Sequence, residues 1–181
     1  AIRKVYRVPA SRAHGNDFPI SEVSTNNLPD SDENPDKICY LAFTSGTTGT
    51  PKCVMHSDNT LLANARDMVR DWNHDAHSRL LSLSPLSHHI AWVGIAQWLL
   101  FSGEFVTDDP PEGMSKLDWI LETEPTYIMG VPTHAMDMLA EMRQRGLDRM
   151  GTVQVFYMAG APIPPAVAQA IVNMDILPQN V

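Results

Sequence analysis

The sequence contains few cysteines and few basic residues, and it lacks a long apolar run. Its two cysteines, Cys39 and Cys53, have a spacing that fits neither a disulfide framework nor a zinc site, so we expect a reduced, cytoplasmic chain. The 13 Lys and Arg residues against 21 Asp and Glu give a formal net charge of −8. This charge argues against binding nucleic acid or an anionic membrane through bulk electrostatics. The longest apolar stretch, residues 90–101, is too short for a membrane span, which needs about 20 residues.

The alternation of apolar patterns predicts one α/β domain. The length of 181 residues suffices for one well-packed core. From residue 38 onwards, strand-length apolar runs alternate with helical periodicity, which predicts a mostly parallel sheet with helices on both faces. The expected strands are residues 38–43, 53–55, 80–84, 104–107, 126–129 and 153–158, the first of them buried. The expected helices are residues 57–72, 91–101 (closed by Gly103), 115–121, 132–146 and 164–174. Residues 1–37 are predicted to be an edge strand and a loop-rich lead-in.

The most informative segment is a turn rich in hydroxyl groups and glycine that follows the first of these strands. It consists of Thr44, Ser45, Gly46, Thr47, Thr48, Gly49, Thr50, Pro51 and Lys52. Glycine lets backbone N–H groups face a ligand, the hydroxyls add donors, and the lysine supplies a positive charge. We interpret the turn as a phosphate-binding loop. It lacks the P-loop spacing of kinases and other NTPases, because Pro51 precedes the lysine and a strand follows.

This turn resembles the signature loop of the adenylate-forming (AMP-binding) superfamily, which includes acyl-CoA synthetases, aryl-CoA ligases and luciferases. Three later segments resemble further motifs of that family in the same order: Pro-Leu-Ser-His-His at residues 85–89, Gly-Val-Pro-Thr at 130–133 and Ala-Gly-Ala-Pro at 159–162. Cys53 is a departure, since the family usually has glycine there. By this resemblance, residues 38–181 are an α/β AMP-binding subdomain, truncated at both ends, from the N-terminal domain of an acyl-CoA synthetase.

The resemblance implies an ATP-dependent ligase that adenylates a carboxylic acid and transfers the acyl group to coenzyme A. The implied cofactors are ATP, Mg²⁺ and coenzyme A, and the implied partner is a small-molecule carboxylic acid. The catalytic lysine and a magnesium-binding glutamate are expected in segments outside this sequence, so the chain alone should be inactive. The implied nucleotide-binding residues are Thr44, Ser45, Gly46, Thr47, Thr48, Gly49, Lys52, Gly160, Ala161 and Pro162, with Thr44 also a candidate magnesium contact. The implied acyl-pocket residues are His88, His89, Trp92, Gly130 and Thr133.

The positions of the four motifs predict a shared binding site. Each motif follows a predicted strand, and ligands of open parallel sheets bind outside the carboxyl ends of the strands. We therefore expect the four loops to converge on one crevice. His134 is a further candidate for its wall, whereas we expect His56 to be structural and His74 and His77 to face solvent.

The sequence narrows the acid and leaves other functions open. No Asp or Glu lies between Arg79 and Glu104, so the ammonium group of an amino-acid substrate would be unpaired there. This favours an uncharged acyl or ring carboxylate. A non-catalytic nucleotide-binding module and an adenylate-forming enzyme that does not use coenzyme A stay as alternatives. We also expect self-association through exposed sheet edges and apolar faces.

Overall fold

The structure, a computed structural model, describes residues 5–7, 21–23, 34–44 and 51–180. The chain divides into two compact units, residues 1–34 and 35–181. In the first unit, β1 (Val5–Arg7) pairs antiparallel with β2 (Ser21–Val23). The sequence predicted the first of these strands, and it predicted mostly loop where β2 lies. Residues 45–50, most of the predicted phosphate loop, lie outside the described residues.

The second unit begins with a separate two-stranded sheet. Strands β3 (Ile38–Thr44) and β4 (Lys52–Ser57) pair antiparallel. The prediction that the first of these strands is buried is wrong, because Leu41 is 51% and Phe43 69% exposed. Strands are buried on both faces where helices cover both sides of a parallel sheet, and a two-stranded antiparallel sheet has no such cover.

A five-stranded parallel sheet forms the centre of the second unit. Its strands are β5 (Arg79–Ser82), β6 (Glu104–Thr107), β7 (Tyr127–Gly130), β8 (Val155–Met158) and β9 (Leu177–Gln179). They lie in the order β6-β5-β7-β8-β9, and every neighbouring pair is parallel. Four of the five were predicted. The fifth, β9, is three residues long and contains Pro178, which an edge strand tolerates.

Helices cover both faces of this sheet, as predicted. They are α1 (Asp58–Asp71), α2 (His89–Phe101), α3 (Lys116–Thr123), α4 (Pro132–Arg145) and α5 (Pro165–Val172). Successive strand side chains point to opposite faces and fill two cores. One core joins the sheet to α1 and α2 through Met68, Leu80, Val93, Tyr127, Met129 and Tyr157. The other joins it to α3, α4 and α5 through Leu81, Ile120, Ile128, Met138, Phe156 and Ile171.

The end of α2 differs from the prediction. Ser102, with φ 61°, is the left-handed residue that ends the helix, whereas Gly103 was expected to do so. Gly103 has another role, because a Cβ at this position would overlap the backbone oxygen of Ser78. Glycine is therefore needed where the chain passes close to Ser78 on its way into β6.

The order of the strands creates a crevice between β5 and β7. The chain leaves β5 through α2 on one face of the sheet, and it leaves β7 through α4 on the other face. These neighbouring strands therefore send their following segments in opposite directions from their carboxyl ends. Such a switch point is the usual ligand site of an open α/β sheet.

Candidate functional site

A cavity of about 400 Å³ lies at this crevice. Its walls come from the ends of β3, β5, β7 and β8 and from the first turns of α2 and α4. The lining residues are Phe43, Leu83, Ser84, Pro85, His88, His89, Ile90, Val131, His134, Ala159 and Gly160. Three of the four predicted loops therefore meet at one cavity. The fourth, at residues 45–50, lies outside the described residues.

The predicted acyl-pocket residues, together with the predicted nucleotide contacts of the loop after β8, divide into those on the cavity wall and those beside it. His88, His89 and Gly160 line the cavity. Gly130, Thr133, Ala161 and Pro162 belong to the converging loops but not to the cavity wall, and Thr133 is exposed. Trp92 lies on α2 next to the wall and contacts Tyr40. The sequence thus located the loops better than the individual residues within them.

Two described residues of the predicted phosphate set lie at one end of the β3–β4 pair. Thr44 and Lys52 are directly opposite each other across the two strands, and both are exposed. Among the described residues, Lys52 has no ion-pair partner, so its charge is available to an anion. Ser45, Gly46, Thr47, Thr48 and Gly49 lie outside the described residues, and their roles stay predictions.

His134 is the wall residue to which the sequence gave less weight than to Thr133. Its Nδ1 accepts a hydrogen bond from the Val131 N–H at 3.3 Å, so Nε2 carries the proton of the neutral ring. Gly130 makes room for this imidazole, because a Cβ there would lie 2.9 Å from Nδ1. Burial, and then the charge of Lys116, lower the pKa of His134. The wall therefore presents a neutral imidazole in a fixed tautomer.

His89 joins the cavity wall to a stack of aromatic rings. Its imidazole lies 4.9 Å from that of His56 and 5.7 Å from the Tyr40 ring, with interplanar angles of 15° and 16°. The Tyr40 ring also lies 5.4 Å from Trp92. Burial, and then the charge of His56, lower the pKa of His89. His56, expected to be mostly structural, thus directly contacts a residue of the wall.

The cavity has no charged wall and no metal cluster in the part of the chain that the structure describes. None of its lining residues is Asp, Glu, Lys or Arg. Nowhere in the described ranges do three or more His, Cys, Asp or Glu side chains form a group that could hold a metal ion. Of the helices described, none has the length and apolar character needed to cross a membrane. The arrangement fits an uncharged organic group in the cavity and an anion near Lys52.

The α/β fold and the converging loops indicate one class of protein, and comparison with known protein families identifies that class. Residues 4–176 match the family described as AMP-binding enzyme, and the chain belongs to that family. The resemblance inferred from the four motifs is therefore confirmed.

Curated relatives include several acyl-CoA ligases. The chain is 27% identical over 177 residues to feruloyl-CoA synthase of an Amycolatopsis species. This match covers 97% of this chain and 34% of that protein. It is 25% identical to 4-chlorobenzoate–CoA ligase of Pseudomonas sp. strain CBS-3, over 84% of this chain and 29% of that protein. It is 30% identical to a mitochondrial medium-chain acyl-CoA ligase of Bos taurus, over 74% of this chain and 22% of that protein. The chain thus spans about a third or less of the length of these relatives.

Solved structures share the fold. The N-terminal domain of FACL13 from Mycobacterium tuberculosis matches 84% of this chain and 38% of that one, with a TM-score of 0.72 and 22% identity. A long-chain-fatty-acid–CoA ligase of Archaeoglobus fulgidus matches 91% of this chain and 33% of its own, with a TM-score of 0.65 and 19% identity. These likenesses show that the α/β unit has the fold of the N-terminal domain of AMP-binding enzymes.

Proposed function

We propose that this chain is part of an AMP-forming acid–thiol ligase that activates a carboxylic acid with ATP and transfers the acyl group to coenzyme A. The observation that carries this proposal is the convergence of three family loops on one uncharged cavity at the switch point of the sheet. The strand that precedes the signature segment contributes Phe43 to the same cavity. The names of the three curated relatives reported above, each an acid–CoA ligase or synthase, support the same reaction class.

The proposed reaction has two steps. A carboxylate oxygen attacks the α-phosphorus of ATP, the bond to the β-phosphate oxygen breaks, and pyrophosphate leaves. The thiolate of coenzyme A then attacks the acyl carbon of the acyl-adenylate, and AMP leaves with the electron pair of the broken C–O bond. Both steps need positioning and charge neutralisation more than a covalent bond to the protein.

The described residues have separate roles in this proposal. Lys52 neutralises phosphate charge and Thr44 offers a hydroxyl donor, together with the signature residues between them. Gly160, with φ 85°, allows the chain after β8 to turn close to the cavity, where Ala161 and Pro162 would pack against the adenine. His88, His89 and His134 would hold the acyl part, beside Gly130, Thr133 and Trp92.

The cavity favours an acid whose acyl part is uncharged. An ammonium group placed there would meet no carboxylate among the lining residues, and a buried unpaired charge is costly. The relatives' names include an aryl acid, a chlorinated aryl acid and a medium-chain acid. A ring or chain carboxylate without a second charge is the common chemistry, and we propose it as the substrate class.

Several further properties belong to the proposal. We expect Mg²⁺ to bind together with ATP, and Thr44 is the described residue that we assign to it as a hydroxyl ligand. A cytoplasmic location agrees with the low cysteine content. Self-association of the chain is supported by exposed apolar side chains on the β3–β4 pair: Ile38, Leu41, Phe43, Val54 and Met55.

ATP–pyrophosphate exchange tests the proposed function. The full-length gene product that contains this sequence is assayed over a panel of aryl, alicyclic and straight-chain acids, with amino acids as the charged comparison. We expect exchange with at least one uncharged acid and none with amino acids. Lys52→Ala should lower the exchange rate about tenfold or more, because a charge-assisted contact contributes roughly 1.5–3 kcal/mol.

Arg66→Ala is the matched control, since it removes an exposed cation from α1 away from the cavity. It should leave the exchange rate unchanged. Exchange with none of the acids would contradict the ligase proposal, and equal losses in the two variants would remove Lys52 from the phosphate site.

A further inference from the structure

Four aromatic rings connect the two-stranded sheet to the wall of the cavity. Tyr40 from β3 and His56 from β4 both lie nearly parallel to His89 at the start of α2, and Trp92 closes the stack one turn later. The Tyr40 and His56 rings also contact each other at 5.8 Å. His89 is at once a ring of this stack and a lining residue of the cavity. A ligand that moves or immobilises the His89 imidazole therefore affects both β3 and β4, through Tyr40 and His56.

The same face of the two strands carries the predicted phosphate contacts. The register pairs Tyr40 with His56 and Thr44 with Lys52. Alternate residues of a strand share a face, so these two pairs lie on one side of the sheet. A separation of four residues at about 3.3 Å per residue places them about 13 Å apart. The paired strands β3 and β4 thus run without a break from the rings at the cavity wall to Thr44 and Lys52.

These two cross-strand pairs are suited to coupling because one pair can bind a ligand at the surface, whereas the other packs against the cavity wall. Thr44 and Lys52 are exposed, whereas Tyr40 and His56 are half-buried by the ring stack. A group that fills the cavity against His89 favours the stacked arrangement of the rings. Stacking then restricts the two strands that position the phosphate contacts, so less ordering is left for nucleotide binding to supply.

We propose that the stack of Tyr40, His56, His89 and Trp92 couples occupation of the acyl cavity to binding of the ATP phosphates. This inference rests on the proposed function. Tyr40 and His56 are then positioning residues, since they act through His89 on one side and through Thr44 and Lys52 on the other. Acid and ATP strengthen each other's binding by the same factor, as linkage requires.

Binding of a non-reactive nucleotide measures the coupling directly. Isothermal titration of the full-length gene product with α,β-methylene ATP is performed with and without the acid that gives the fastest exchange. We expect the acid to tighten nucleotide binding about tenfold, within the usual range of coupling between sites. His56→Ala should reduce this factor to about twofold or less. His56→Phe should restore it, because a phenyl ring can stack on His89 and a methyl group cannot.

Two more variants keep the test decisive. Tyr40→Leu removes the ring from the other strand and should lose the coupling as His56→Ala does, which covers the case of a His56 variant that fails to fold. Met55→Ala changes the neighbour of His56 on the opposite, exposed face of β4, and it should keep the full factor.

The outcomes separate this inference from the proposed function. A factor that is equal in wild type, His56→Ala and Tyr40→Leu would overturn the coupling role, as would a wild-type factor of one. In both cases continued pyrophosphate exchange leaves the ligase proposal standing. Loss of the factor in His56→Ala with recovery in His56→Phe supports the role, because a merely structural residue would change stability and not the factor.

Discussion

Gly130 makes room for one residue of the cavity wall. Its missing Cβ leaves space for the His134 imidazole, which the Val131 N–H then fixes. Gly130→Ala should displace that ring and break the hydrogen bond, which contributes about 1 kcal/mol. We expect a rise of about fivefold in the KM for the acid, measured by pyrophosphate exchange at varied acid concentration.

Met136→Ala is the control for this change. Met136 lies on α4, two residues after His134, and is 48% exposed, so its KM should match that of wild type. An unchanged KM in Gly130→Ala would show that the position of His134 does not matter to acid binding.

Individual wall residues were harder to predict than the loops that carry them. The Gly-Val-Pro-Thr motif identified the correct turn, and Pro132 starts α4 there as predicted. Each helical residue is rotated by about 100° from the last, and in this first turn Thr133 faces solvent whereas His134 faces the cavity. The start of α4 was predicted correctly, but which residue of the first turn meets the cavity depends on how the helix packs on the sheet, and the local pattern does not contain that packing.

At the scale of elements, α1 begins with a reciprocal cap. The Ser57 Oγ accepts from the Thr60 N–H at 3.4 Å, and the Thr60 Oγ1 accepts from the Ser57 N–H at 3.0 Å. Since Ser57 is also the last residue of β4, the cap fixes the junction between the two-stranded sheet and the helix. Ser57→Ala should lower the free energy of unfolding by about 1 kcal/mol, measured by urea denaturation.

Ser57→Thr serves as the control, because threonine keeps a hydroxyl at the cap and should lose much less stability. Ser87→Ala, at an exposed loop position, should have no effect. A loss in Ser57→Ala no larger than that in Ser87→Ala would remove the cap as a source of stability.

Most helices and strands could be predicted because their starts, ends and apolar spacing depend on residues within the same short segment. Ser115 and Gly146 mark the start of α3 and the end of α4 where the sequence placed them. The burial of β3 was not predictable in the same way. Its apolar side chains show that the strand needs cover, but the cover depends on which other segments lie beside it. A strand sequence contains no information on that point.

At the scale of the molecule, the alternation of strands and helices predicted the parallel sheet and its two covered faces. The crevice followed from the order of the strands, since it lies where α2 and α4 diverge from adjacent strands. The sequence could predict convergence of the loops for this reason, although the phosphate segment itself lies outside the described residues. Long-range packing of single rings was beyond the sequence, and His74 shows this most clearly.

His74 was expected to face solvent, but the structure packs its ring against the core that joins the sheet to α1 and α2. Its ring lies 4.7 Å from Tyr127 and 5.0 Å from Phe101. Its Nε2 is buried without a hydrogen-bond partner among the described residues. Burial lowers the pKa of His74, while the charge of Asp75 opposes this in part.

The stability of the fold should therefore fall in mild acid. The unfolded chain takes up a proton at His74 near its ordinary pKa of about 6.5, whereas the folded chain does so only at lower pH. Below about pH 6.5 the unfolded state thus binds more protons, and stability decreases as the pH falls. One such group contributes a slope of at most about 1.4 kcal/mol per pH unit, and less where solvent screens a partly exposed ring. His89 and His134 act in the same direction.

His74→Phe should remove the His74 part of this slope and keep the ring packing against Tyr127 and Phe101. Thermal unfolding midpoints measured at pH 7.5 and pH 5.5 should therefore differ less in the variant than in wild type. His77→Phe is the control, because His77 is exposed only three residues away and its replacement should leave the difference as it is in wild type. If His74→Phe keeps the full wild-type difference, the acid sensitivity of the fold does not come from the His74 imidazole, and His89 and His134 become its source.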